Sequence, residues 1–251
     1  MKNLEQQSLS SIVLEQHELV PVLEKYNLDF CCRGKQTLAE ACAEKNIDLA
    51  KLVLEMNESV SPGTAASVFT RMSAEELIAH ILPHHHFYVK NSMPVIINHL
   101  DKLVSKHGER YPHLNRILQL FTAVKDEMLA HMQKEEQVLF PRIKEITALI
   151  SQEKELIYLR DYITSPIKAM ETEHDHAGQA LFEIRRITNN YTAPEDACTT
   201  HQVCLQELKA FENDLHQHVH LENNILFPMA LGFVRHAGVQ SNTCSVGIVG
   251  S

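Results

Sequence analysis

The sequence has no tryptophan, only eight glycines and nine prolines in 251 residues, no cluster of Lys and Arg, and no long apolar run. Each absence excludes something, except the first, which decides nothing. Spanning a bilayer takes roughly 18 or more consecutive apolar residues, so no transmembrane helix is expected. The opening stretch MKNLEQQSLSSIVLEQHELV is too polar for a signal peptide, which makes the cytoplasm the expected compartment and a membrane an unexpected partner. A net charge of -9 without a basic cluster argues against nucleic acid, because phosphate backbones recruit clustered cations. Few Gly and Pro, scarce strict alternation, and apolar residues spaced by three and four predict an almost wholly helical, all-α chain.

What is present in excess is histidine, at sixteen residues. Imidazole is the commonest metal ligand, so metal chemistry is the first thing to test. The six cysteines (Cys31, Cys32, Cys42, Cys198, Cys204 and Cys244) are expected to be thiols in a reducing compartment.

The small, polar stretch NESVSPGTAAS, residues 57 to 67, is broken by Pro62-Gly63 and reads as a linker. The expected organisation is a small helical N-terminal unit over 1–60, a linker over 61–72, a four-helix bundle over 73–231 and a flexible tail over 232–251. Punctuation places the four long helices. The first opens with the capping box Ser73-Ala-Glu-Glu76, and the second opens near Pro112 and runs to about Lys144. The third opens at Ser165-Pro166 and stops around Asn189-Asn190; the fourth follows Pro194 and runs to about Pro228. Four consecutive helices, each with one apolar stripe, predict a bundle.

The stripes select among the histidines. In the second helix Ile117, Phe121, Val124, Met128, His131, Glu135 and Val138 step alternately by four and three, a core-facing seam. The fourth repeats the rhythm through Cys204, Leu208, Phe211, Leu215, His218, Glu222 and Ile225. The first helix runs through Ile78, Leu82, His86, Val89, Met93 and Ile96, and the third through Ile167, Met170, His174, Ala177, Leu181 and Ile184. The PHHH run leaves a register shift from His86 to His84 or His85 open. The off-seam His80, His84, His99, His107, His113, His176, His216 and His220 are expected at the surface, and Cys42, Cys198 and Cys204 as packing residues.

His and Glu four apart share one helical face. A lone core histidine is more often a hydrogen-bonded structural residue than a ligand. Two carboxylates and four imidazoles on four apolar seams are different: without a cation they would cost several kcal/mol or take up protons. The intervals from His86 to His174 (88 residues) and from His131 to His218 (87 residues) suggest an internal duplication and one metal per half. With Glu135 and Glu222 bridging and two histidines capping each ion, open positions remain beside an oxo or hydroxo bridge. Such a nitrogen and oxygen set suits two non-haem iron ions, with manganese as the alternative, and fits structural zinc poorly. Leu-Phe-Pro after each HxxxE motif reads most simply as a packed helix end.

Adjacent Cys31 and Cys32 could join only through a strained eight-membered ring, so they are expected to be thiols, with Arg33 and Lys35 lowering their pKa toward reactive thiolate. The bland alternative is two small buried residues in a turn.

Taken in order, DFCCRGKQTL, HMQKEEQVLFP, METEHDHAG, NNYTAPEDACTT and HVHLENNILFP resemble the repair-of-iron-centres family over about residues 10 to 231. The resemblance implies a hemerythrin-like bundle holding an oxo- or hydroxo-bridged di-iron centre. His86, His131, His174 and His218 would be terminal ligands, Glu135 and Glu222 bridges, and Cys31 and Cys32 part of a head engaged in redox chemistry or iron transfer. It implies repair of iron-sulfur clusters damaged by nitrosative and oxidative stress, through iron donation to damaged iron-sulfur proteins. A nitric oxide-reducing enzyme and a reversible sensor of nitric oxide or dioxygen are the alternatives. An exposed head with reactive thiols would also allow a homodimer.

Overall fold

Local chemistry sets the helix starts. The structure, a computed structural model, describes residues 4–59, 68–152 and 160–240. The N-terminal unit carries α1 (Leu9–Glu15), α2 (Val20–Lys25), α3 (Leu38–Lys45) and α4 (Leu49–Ser59). Thr37 Oγ1 accepts from the Glu40 amide at 3.2 Å, and the Glu40 carboxylate accepts from the Thr37 amide at 2.8 Å, a capping box that opens α3. Asn46, in the left-handed region at φ 54°, closes it. Ser73 and Glu76 form a second box and open α5 (Ala74–Ile81).

From α5 onward the chain makes four long rods. The first joins α5 to α6 (Phe87–His107), the second joins α7 (His113–Lys134) to α8 (Phe140–Ser151), the third is α9 (Arg160–Ile187), and the fourth joins α10 (Thr199–Leu221) to α11 (Phe227–Gln240). The predicted seams are the buried faces, with two apolar clusters in series along the bundle. One holds Val89, Met93, Ile117, Phe121, Leu181 and Phe211; the other holds Ile78, Phe140, Ile143, Ile167, Met170 and Phe227. On every rod the inward histidine falls between the two clusters. The N-terminal unit shares the first cluster through Leu9, Ile12, Leu23 and Phe30, so its apolar face is continuous with the bundle core.

Several boundaries differ from expectation. The third rod begins at Arg160, and Pro166 lies inside it. Proline frees the carbonyl four residues earlier, and here that carbonyl, of Tyr162, accepts from Arg142 Nη1 at 2.7 Å. The fourth rod begins at Thr199, not after Pro194, with Cys198 as its exposed N-cap and not a packing residue; Cys42 and Cys204 are buried. The last helix runs on to Gln240, past Leu231, while 241 to 251 lies outside the described residues, as does most of the expected linker.

Leu-Phe-Pro is not a helix end. Each HxxxE motif runs into a π turn, Glu135–Leu139 or Glu222–Leu226, after which the helix resumes with Pro141 or Pro228 in its first turn. The wider turn accepts a residue with no N–H and relieves the ring clash of an interior proline. It also advances the register by one: Leu139 takes the core place expected of Val138, which is 38% exposed. Among the described residues no helix is long and apolar enough to cross a membrane.

Candidate metal centre

A third π turn, Leu82–His86, breaks the first rod, so His86, Glu135 and Glu222 all sit on π segments, while His131, His174 and His218 sit on regular helix. Inserted residues of this kind redirect side chains without ending a helix. All six groups are at most 1% exposed.

The structure brings them together as two overlapping groups of four. His86 and His218 form one group with Glu135 and Glu222; His131 and His174 form the other with the same two carboxylates. Glu135 Oε2 lies 3.4 Å from His86 Nε2 and 3.3 Å from His131 Nε2, so one oxygen faces both groups. Glu222 divides its oxygens, Oε1 lying 3.0 Å from His218 Nε2 and Oε2 lying 3.2 Å from His174 Nε2. His174 Nε2 and His131 Nε2 face each other at 3.0 Å. Buried His86 Nε2, both Glu135 oxygens and Glu222 Oε2 make no hydrogen bond. Dry polar atoms left in this state are costly, and lone pairs converging on shared points are the arrangement a cation satisfies. Four imidazole nitrogens and two carboxylates therefore fit a pair of divalent cations of the iron or manganese class.

Behind the imidazoles stands an outer ring of partners that sequence reasoning missed. His86 Nδ1 bonds Glu136 at 2.7 Å, His131 Nδ1 bonds Glu173 at 2.9 Å, and Lys90 and Lys134 hold those two carboxylates from outside. His174 Nδ1 meets the amide oxygen of Asn223 at 2.9 Å, whereas buried His218 Nδ1 makes no hydrogen bond. A ring N–H donated outward fixes the tautomer and turns the other nitrogen's lone pair inward. The two halves of the repeat thus differ: Asn223 stands where the first half has Glu136, and the place of Glu173 is taken by His85. The available signal was a Glu beside two of the seam residues.

The register question at PHHH has a structural answer. His86 enters the centre; His85 is buried too, but turns its Nδ1 to Asp214 at 3.0 Å and stacks on His218; His84 is exposed and meets the His80 carbonyl.

Burial alone would lower the His86 pKa, but the carboxylates of Glu135 and Glu222, 3.4 and 3.9 Å from Nε2, outweigh it and raise it to about 10. Burial likewise opposes the rise of His131, which the charge of Glu135, 3.3 Å away, carries to about 9. Burial and the Glu222 charge push Glu135 up, yet the facing imidazoles hold it below the usual carboxylate range, and Glu222 well below. Burial lowers His218. His86 and His131 on one side and the two carboxylates on the other thus favour one another's charged forms, a mutual charge balance.

Of the histidines expected at the surface, only His84 and His176 are exposed; the others are half-buried apart from His220, which is buried, and His216 and His220 are covered by the N-terminal unit. His220 is 3% exposed, edge-on to Phe30, and burial holds its pKa down to about 4; half-buried His216 bonds Glu24 at 2.9 Å. Both lie under the N-terminal unit, whose docking position no helical period reveals. Asn224, in the Glu222–Leu226 π turn, reinforces the contact by donating to the Phe30 and Cys31 carbonyls at 3.2 Å. Gly34 permits that approach, since a Cβ there would stand 2.8 Å from the Asn224 side chain and 2.5 Å from the Phe30 carbonyl oxygen.

Cys31 also departs from expectation. Arg33 is committed to Glu44 through two bonds of 2.5 and 2.7 Å, and the nearest charge to Cys31 is Asp29, whose Oδ1 lies 3.1 Å from Sγ. The hydrogen bond to Cys32, burial and the Asp29 charge all push the Cys31 pKa well above the usual thiol value, so its surroundings do not favour the thiolate.

Comparison with known proteins agrees with this geometry. Residues 77–230 match the Hemerythrin HHE cation binding domain, and residues 5–60 match a domain of unknown function, DUF542. The chain is 34% identical to the iron-sulfur cluster repair protein YtfE of Shigella boydii serotype 4, over 90% of this chain and 96% of that protein. The proteins of the same name in Citrobacter koseri and Escherichia coli O81 are also 34% identical over the same shares.

Proposed function

Because this chain belongs to the hemerythrin-like cation-binding family, and within it to the iron-sulfur cluster repair proteins, we propose that it restores damaged iron-sulfur clusters by giving up iron from a two-iron centre. The observation that carries the reading is the pair of buried four-donor groups sharing both carboxylates.

His86 and His218 would cap one ion, His131 and His174 the other, and Glu135 and Glu222 would bridge them. When bound, the ions supply an exchangeable iron store and redox-active positions open to nitric oxide or dioxygen. The residues do the rest. Glu136 and Glu173 hold the Nδ1 protons of His86 and His131, keeping both rings aimed inward. The two apolar clusters keep water from the lone pairs on both sides along the bundle. Carboxylates can change denticity, and protons compete with metal for every donor, so release becomes easier on mild acidification without unfolding the bundle.

The test is to mix the iron-loaded protein anaerobically with a dehydratase whose cluster has been destroyed by nitric oxide. Activity should return faster than with the same concentration of free ferrous iron. Recovery no better than with free iron defeats donation, and steady nitric oxide consumption in its place would favour the enzyme reading.

A further inference from the structure

Outside the metal centre, one cluster joins three potential ligands at a cavity: Asp29, Cys31 and Cys32, whose donor atoms lie within 4.8 Å of one another. We propose that these three residues form a second metal site, taking one thiophilic divalent cation of the Zn²⁺ type.

The backbone builds it. Asp29 Oδ1 accepts the Cys31 amide at 3.1 Å and the Cys32 amide at 2.9 Å, folding residues 29 to 32 into an Asx-type turn. Neighbouring side chains on an extended strand point to opposite faces, whereas this turn brings the two Sγ atoms to 3.8 Å. Two thiolates on one tetrahedral ion with metal–sulfur bonds of about 2.3 Å stand about 3.8 Å apart, so the thiols need no rearrangement to chelate. The Asp29 carboxylate, 3.1 Å from Cys31 Sγ, adds an oxygen donor on the same side.

Arg33 is hydrogen-bonded to Glu44, Lys45 to the Asn27 carbonyl, and Arg185 is paired with Glu212, so these three side chains make no direct bond to the Asp29 carboxylate. A cavity of about 410 Å³ gives an ion access, with Cys31, Cys32, Asp175, Gln179 and Phe182 among its walls. Gly178 faces Cys32 across it: a Cβ there would sit 3.9 Å from Sγ, and a longer side chain would cover the thiol. Gly178 is one helical turn beyond His174, which sets the new site beside the metal centre without sharing a donor with it. Binding would displace the two thiol protons to solvent and leave two thiolates and one carboxylate on the ion, with the remaining coordination open to the cavity.

The test uses the full-length, iron-loaded protein carrying Cys198→Ser and Cys244→Ser, with Cd²⁺ as the probe. One equivalent should produce a thiolate-to-cadmium absorption band, protect two thiols from a thiol reagent and leave the iron spectrum unchanged. Cys31→Ser and Cys32→Ser should each remove at least half of the band, and Asp29→Asn should weaken Cd²⁺ binding at least tenfold. Because Asp29→Asn could loosen the turn itself, cadmium-edge X-ray absorption of the parent protein decides independently: two sulfur ligands are expected. Cadmium bound without sulfur, or a full band surviving in Cys32→Ser, would overturn the site.

Discussion

Replacing Glu136 by Gln tests the inequality of the two metal positions. Glu136 touches only one imidazole of the centre, His86, through a 2.7 Å bond, and His86 is 1% exposed, so water cannot take over as acceptor. The substitution keeps size and an acceptor oxygen but removes the charge. Loss of such an outer partner lowers metal affinity about 10- to 100-fold, which is about 1.4 to 2.7 kcal/mol. Lys90 loses its partner as well, but a surface pair of this kind contributes less than about 1 kcal/mol to folding. Only the His86/His218 position should weaken, because His131 and His174 keep Glu173 and Asn223. In an anaerobic chelator titration, followed by iron per chain and by Mössbauer spectra of ⁵⁷Fe-loaded protein, the variant should lose one iron at about 10- to 100-fold less chelator while the second behaves as in the parent. Equal weakening of both irons, or of neither, would refute the reasoning.

Two further outcomes follow from the buried charges. Arg185→Met should destabilise the protein by about 3 to 5 kcal/mol, read by urea unfolding, because Glu212 is 2% exposed, accepts hydrogen bonds from Arg185 Nε at 2.8 Å and from the Tyr191 hydroxyl, and has its other oxygen 2.8 Å from a second guanidinium nitrogen; a loss below about 1 kcal/mol would mean the pair adds little. Arg185 also reaches Asn27, so the N-terminal unit should show faster amide exchange in the same variant. With folded-state pKa values of about 10 for His86 and about 9 for His131, both above the unfolded value, the metal-free protein should draw full stability from them below about pH 6.5. It should lose that stability as pH rises through 9 to 10. Iron binding requires both rings deprotonated, so the stability gained on loading should grow with pH over the same window, measured by paired melts with and without iron. A gain that is flat or falls with pH counts against the charge balance.

The parts of this protein written in its sequence are those that a single helix can express. Spacing by three and four chose His131, His174, His218, Glu135 and Glu222 as inward, and a capping pattern placed the start at Ser73, because periodicity and capping depend only on near neighbours. Where a proline was read as a boundary, at Pro166 or after Leu-Phe-Pro, the helix continued, since Arg142 from another rod or a widened turn met the need that proline created. The outer partners Glu136, Glu173 and Asn223, the burial of His216 and His220, and the commitment of Arg33 to Glu44 were decided by tertiary structure alone. Each is a contact between segments distant in the chain or across a turn, and no period along one helix encodes which neighbour its outer face will meet.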